Sequence, residues 1–130
     1  MRGRPVIVGT GIDLCDVGRI RHAIERHGRR ILDRVFTERE IAYADQRANR
    51  YERYAARFAA KEAAMKALGM GWSGGIGWRD LEVTNLASGR PTLALHGKAA
   101  EIAEKLGVRN VSLSLTHTAN QAMAVVILEA

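Results

Sequence analysis

Two acidic residues far apart in a chain of 130, Asp13 and Glu62, carry the first signal of chemistry. Glu62 lies in Arg57-Phe58-Ala59-Ala60-Lys61-Glu62-Ala63-Ala64-Met65-Lys66-Ala67-Leu68, a run without Gly or Pro and rich in helix formers. The spacing predicts a helix from about Tyr51 to Leu68, ended by Gly69. At about 100° per residue Glu62 centres a stripe that also holds Ala55, Phe58, Ala59, Met65 and Lys66. A carboxylate where a helix puts its core residues needs a cation, either Lys66 one turn on or a metal ion. The plain alternative is a solvated Glu–Lys pair worth a few tenths of a kcal/mol. Asp13 closes a predicted strand, Val6 to Leu14, with Val6, Val8, Ile12 and Leu14 on one face and Ile7, Gly9, Gly11 and Asp13 on the other. The two glycines leave backbone bare for a ligand or another backbone to approach. Two inward carboxylates, a lysine near one of them and a glycine-rich loop point to phosphate chemistry with a hard metal. Magnesium takes one or two protein carboxylates and leaves the rest to water and phosphate oxygens, a role that Asp13 and Glu62 fill.

Other chemistries lack their residues. One cysteine, Cys15, and four scattered histidines give no zinc ligand set. There is no G-x-S-x-G elbow, P-loop or Rossmann fingerprint.

The elements that must position these groups follow from capping and periodicity. Asp16 caps a helix from Val17 to His27, stopped by Gly28, with Val17, Ile20, Ala23 and Ile24 on its apolar stripe. Its solvent side presents Arg19, His22 and Arg26, a basic rail starting one turn after Asp13. Arg29 to Phe36 reads as a short helical or irregular connection. Thr37-Glu38-Arg39-Glu40 is a capping-box signature for a helix to about Ala48, and Asn49 breaks it from the Glu62 helix. Gly69 to Gly77 holds five glycines in nine residues, which predicts a flexible loop whose amides suit phosphate or serve as a plain connector. Trp72 and Trp78 flank it and are read as packing residues. Strands follow at Asp80–Thr84 and Thr92–His96, then a helix from Lys98 to Leu106. Val111 to Thr118 alternates, placing His117 at the end of an apolar face, and Gln121 to Leu128 returns. The sum is one α+β domain over residues 1–130 with a mainly antiparallel sheet packed on helices.

Composition fits a folded domain: 47% hydrophobic and 26% charged, with no apolar run approaching a membrane span. Residues 1–5 lead into a strand too short for a signal peptide's apolar core, and a lone cysteine suits a reducing cytoplasm. The net charge is +6, and residues 1–58 hold thirteen Arg against eight acids, so the first half contributes +5 of it. An acidic partner is expected. A small basic nucleic-acid-binding α+β domain is the alternative. It is disfavoured by 5% aromatics, by the lack of an interleaved aromatic–basic strand, and by leaving both carboxylates unexplained. A catalytically silent oligomerisation module is a third reading.

Three segments narrow this further. Gly11-Ile12-Asp13-Leu14 with Arg19-Ile20, Arg57-Phe58-Ala59-Ala60-Lys61-Glu62-Ala63 with Lys66-Ala67-Leu68-Gly69, and Ser112-Leu113-Ser114-Leu115-Thr116-His117 together resemble the motifs of the holo-acyl-carrier-protein synthases, the small 4′-phosphopantetheinyl transferases. Order, spacing and length all agree. The resemblance implies a phosphopantetheinyl-transferase-like fold and transfer of the phosphopantetheine arm of coenzyme A to a serine of an apo acyl carrier protein, releasing adenosine 3′,5′-bisphosphate. It implies Asp13 and Glu62 as Mg2+ ligands, Lys66 as the residue that steadies and protonates the leaving phosphate, and His117 as a coenzyme A contact. Arg57 and the loop from Gly69 are implied nucleotide contacts. Arg19, Arg21 and Arg26 are implied docking residues for the acidic carrier. A homotrimer with active sites between neighbouring subunits is implied as well, in fatty-acid and lipid metabolism, with no nucleic acid or membrane partner. The serine's proton acceptor stays open between a metal-bound water and an adjacent carboxylate. Larger relatives carry a third acidic ligand where this chain has Cys15, so metal dependence is expected to rest on Asp13 and Glu62, with Asp16 at most capping or outer.

Overall fold

In the computed structural model, residues 6–69 and 71–130 are described, apart from the side chains of residues 72 and 73. The chain order is β1 (Ile7–Asp16), α1 (Val17–His27), α2 (Arg29–Val35), α3 (Glu38–Asp45), α4 (Arg50–Leu68), β2 (Leu81–Asn85), β3 (Pro91–Leu95), α5 (Gly97–Lys105), β4 (Asn110–His117) and β5 (Gln121–Glu129). Asp16 caps α1 by accepting from Gly18 N at 2.8 Å. Thr37 and Glu40 form the expected reciprocal box at the start of α3, where Thr37 N donates to Glu40 Oε1 at 2.9 Å. That helix ends at Asp45, three residues short of the expected end.

The strands form two antiparallel sheets, one in the order β1-β5-β4 and the other a β2-β3 hairpin. Within the first, Asp13 lies opposite Ala124, and His117 opposite Ala122. Helix α4 packs on this sheet and is enclosed almost all round, because five small alanines (59, 60, 63, 64 and 67) let neighbours come close. The bare backbone of β1 is one such neighbour. A Cβ on Gly9 would stand 2.0 Å from the Ala67 carbonyl oxygen, and one on Gly11 would stand 1.8 Å from that of Ala63. So the glycine face of β1 receives another backbone, not a ligand. Its apolar face is the uncovered one, with Ile12 56% and Leu14 54% exposed.

Two further expectations change. Between Tyr54 and Leu68 only Phe58, Glu62 and Lys66 are not buried. Glu62 therefore centres the one open line of α4 rather than a buried stripe. A helix surrounded on its other sides shows its polar line where the cover stops. The glycine-rich segment is also more regular than expected: Gly71–Gly74 and Trp78–Asp80 each form a 3₁₀ turn. Trp78 stacks on Phe58 with ring centroids 5.0 Å apart, as a packing residue does. Residues 1–5, Met70 and the Trp72 side chain lie outside the described residues.

Candidate active site

The pairing of β1 with α4 is what brings the two motifs together. Gly9 lies on Ala67 and Gly11 on Ala63, so two strand residues, about 6.6 Å, match four helix residues, about 6 Å. One more step puts Asp13 over Ala59, one turn before Glu62. Lys66 reaches back across the same junction, its Nζ donating to Asp13 Oδ1 at 3.1 Å and to the Ile12 carbonyl at 2.9 Å. The sequence allowed Lys66 or a metal ion as the partner of Glu62; in the fold the lysine bonds to Asp13.

Asp13 and Glu62 open onto one cavity of about 450 Å3 between β1, α1, α2 and α4. Cys15 and Arg19 also line it, and its apolar wall is Leu14, Ile20, Ala23, Ile31 and Phe58. Burial, reinforced by the Asp13 charge, pushes the Cys15 thiol up to about 11, so it stays protonated at neutral pH. The oxygen donors of the cavity are carboxylates, a set that suits a hard divalent cation. A second groove runs along α1 and is lined by Arg19, His22, Arg26 and His27 together with Asp16. Arg21 faces elsewhere, its guanidinium 5.4 Å from the centre of the Tyr51 ring.

Two sequence candidates are placed apart from this cluster. His117 ends β4 on the far edge of the sheet from β1, about 10 Å across two strand spacings. Its Nδ1 lies 2.9 Å from Glu52 Oε1, and Glu52 precedes Glu62 by ten residues, about 15 Å along the α4 axis. Arg57, expected as a nucleotide contact, is 3% exposed and does not line the cavity. Its guanidinium lies 3.9 Å from the Tyr43 ring centre and Nη2 donates to Asn85 Oδ1 at 2.8 Å. Placement makes Arg57 a clamp between α3, α4 and the β2-β3 hairpin. Gly69, at φ 72°, ends α4 as the left-handed residue the sequence called for.

One cluster escaped the sequence reading. Lys61 is fully buried and donates to Glu40 Oε1 at 2.8 Å and to the carbonyls of Trp78 and Leu81. Burial pushes its ammonium down, opposed by the Glu40 charge. Glu40 Oε2 accepts from Val83 N at 2.9 Å, joining α3, α4 and β2 at one point. Lys61 shows no signal beyond its adjacency to Glu62, whereas Glu40 was visible as a capping residue.

A sequence-family profile described as the 4′-phosphopantetheinyl transferase superfamily matches residues 9–126. A holo-[acyl-carrier-protein] synthase from Solibacter usitatus is 60% identical over 124 residues, spanning 95% of this chain and 99% of the relative. The chain belongs to the holo-acyl-carrier-protein synthase family of 4′-phosphopantetheinyl transferases. The fold agrees with that family. The crystal structure of a holo-[acyl-carrier-protein] synthase from Neisseria meningitidis superposes with a TM-score of 0.86 at 30% identity, covering 95% of this chain and 99% of the other. The synthase from Helicobacter pylori, solved in complex with coenzyme A, superposes with a TM-score of 0.80 at 27% identity over 92% and 98% of the two chains. Among the described residues no helix of this synthase-family member is long and apolar enough to cross a membrane.

Proposed function

We propose that the chain moves the 4′-phosphopantetheine arm of coenzyme A onto a serine hydroxyl of an apo acyl carrier protein, releasing adenosine 3′,5′-bisphosphate, with Mg2+ held by Asp13 and Glu62. The observation that carries this reading is that Asp13 and Glu62 open onto one cavity bordering the basic rail of α1, with Lys66 bonded to Asp13. The coenzyme A complex of the Helicobacter pylori relative supports the donor.

The serine hydroxyl gives its proton to an adjacent base as its oxygen bonds the phosphorus bearing the pantetheine arm, and that phosphorus's bond to the bridging oxygen breaks, the electron pair leaving with the adenosine bisphosphate. Negative charge grows on the leaving oxygen. Lys66, whose side chain is 54% exposed beside Asp13, can turn its ammonium to that oxygen and neutralise it. Mg2+, when bound, supplies positive charge to the pyrophosphate oxygens. Ile20, Ala23, Ile31 and Phe58 keep water from the far side of the cavity. Arg19 and Arg26, on the α1 groove, suit acidic side chains of a carrier.

A homotrimer belongs to the same reading. Ile12 and Leu14 of β1 sit opposite Val125 and Met123 of β5, and these pairs form an apolar sheet face with no cover in the single chain. His117 lies too far from Lys66 to serve the same phosphate in one subunit, so a neighbouring copy is the natural source of that contact. A single buried cysteine is consistent with the cytoplasm as the compartment.

The test is to incubate the purified chain with coenzyme A, Mg2+ and an apo carrier protein and weigh the carrier. A gain equal to the phosphopantetheine arm, lost with a chelator and restored by Mg2+, is the expected result. An unchanged carrier mass in the presence of Mg2+ would overturn the assignment.

A further inference from the structure

Helix α4 carries a second carboxylate that the proposed chemistry does not use. Glu52 lies in its first turn, ten residues before Glu62, and its Oε1 meets Nδ1 of His117 at 2.9 Å across 65 residues of sequence. Both side chains are partly covered, Glu52 26% and His117 36% exposed. The backbone on the histidine side is fixed. Thr118 N donates to the Gln121 carbonyl at 2.8 Å, and Thr118 Oγ1 accepts from the amides of Asn120 and Gln121. With the main chain held, the freedom left to His117 is that of its two side-chain torsions, which the bond to Glu52 restrains.

The contact also sets which nitrogen faces outward. An ionised carboxylate only accepts, so the proton of the bond belongs to Nδ1. Nε2, which has no hydrogen bond among the described residues, is then the atom presented to a ligand. A histidine without such a partner is free to exchange tautomers and ring orientations.

We propose that Glu52 is a positioning residue for coenzyme A binding, holding His117 as the Nδ1–H tautomer with Nε2 turned toward the bound nucleotide. The proposal rests on the transfer reading above through the role of His117. Two other roles for Glu52 compete: favourable placement at the positive end of α4, and a partly exposed ion pair of little consequence. Neither predicts coupling to coenzyme A.

The experiment uses the full chain with Glu52→Ala, Glu52→Gln, His117→Ala and the Glu52→Ala/His117→Ala double variant. Long-range ¹⁵N–¹H spectra of His117 in the free protein should show the Nδ1–H tautomer, and Glu52→Ala should lose it. In the loading assay Glu52→Ala should raise KM for coenzyme A about tenfold, the loss of one hydrogen bond to a charged group, with a smaller change in kcat. Glu52→Gln, whose amide oxygen still accepts, should recover part of the loss. Adding Glu52→Ala to His117→Ala should cost nothing further. An unchanged His117 spectrum in Glu52→Ala, or effects of the two single variants that multiply in the double, would overturn the proposal. If Glu52→Ala does not fold, the same readings on Glu52→Leu, which removes the acceptor but keeps a strong helix former, decide. Failure of the transfer reading is distinguishable, because the unaltered protein would then leave the carrier unloaded. In that case calorimetric coenzyme A affinity, measured on the same four variants, replaces KM.

Discussion

Asp13 and Glu62 share a cavity, and their roles can be separated from their contribution to folding. Asp13→Asn and Glu62→Gln keep volume and polarity while removing charge. Each is expected to lower the rate of carrier loading by about 10²-fold or more, the order seen when one electrostatic stabiliser of a transition state is removed. The circular dichroism spectrum should be unchanged. Equal loading rates in either variant would take the metal away from that residue. Cys15 lines the same cavity, yet its thiol, pushed up to about 11, gives no thiolate at neutral pH. Cys15→Ala should therefore retain Mg2+ activation.

The junction of α3, α4 and β2 rests on charges with almost no access to water. Lys61 and Glu40 are both fully buried, and removing one partner leaves the other uncompensated. Lys61→Met is expected to cost about 3–5 kcal/mol in urea denaturation. The Lys61→Met/Glu40→Gln variant should recover part of that, since it removes the uncompensated charge while the one amide oxygen still accepts from either Val83 N or Thr37 N. No recovery would show that the pair is held for its ammonium bonds to the Trp78 and Leu81 carbonyls instead. Next to this junction Glu82 is 4% exposed. Burial alone would raise its carboxyl, but hydrogen bonds from Arg39, Thr37 and His96 outweigh it and hold the group at about 2, below the ordinary 4.5. A carboxyl depressed on folding contributes stability that is fully present above the unfolded value and is lost as pH falls through the folded one. Stability should thus decline between about pH 4.5 and 2, and Glu82→Gln should flatten that part of the acid titration.

At the scale of the whole molecule, the surface that bears on the proposed trimer is the outer face of the β1-β5-β4 sheet. Isolated apolar side chains on a surface need no explanation, but Ile12 and Leu14 sit beside Val125 and Met123 in register, a contiguous patch. Ile12→Arg, on the same face but outside the cavity, should convert the proposed trimer to monomers in size-exclusion chromatography with light scattering. Loading should fall with it while the single subunit stays folded. A variant that remains trimeric and active would place the subunit contact on another face.

Local chemistry was legible in the chain because it acts over a few residues. The Asp16 cap, the Thr37–Glu40 box, the Gly69 stop and the alternation of β4 all depend on neighbours within one turn or one strand, and all stand where they were expected. Asp13 and Glu62 were legible as a candidate pair from their faces and their motifs; their juxtaposition needed the packing of β1 glycines on α4 alanines, a contact across more than fifty residues. The same limit explains the errors. Which side of α4 is open depends on how many elements surround it, so a single-helix stripe assigned Glu62 to the wrong environment. Lys61 and Arg57 are long cations whose burial depends on acceptors from Glu40, the Trp78 and Leu81 carbonyls and Asn85, groups 21, 17, 20 and 28 residues away. Periodicity carries side-chain type and direction. Whether a charge is covered, and by what, is set by partners that only the folded chain brings within bonding distance.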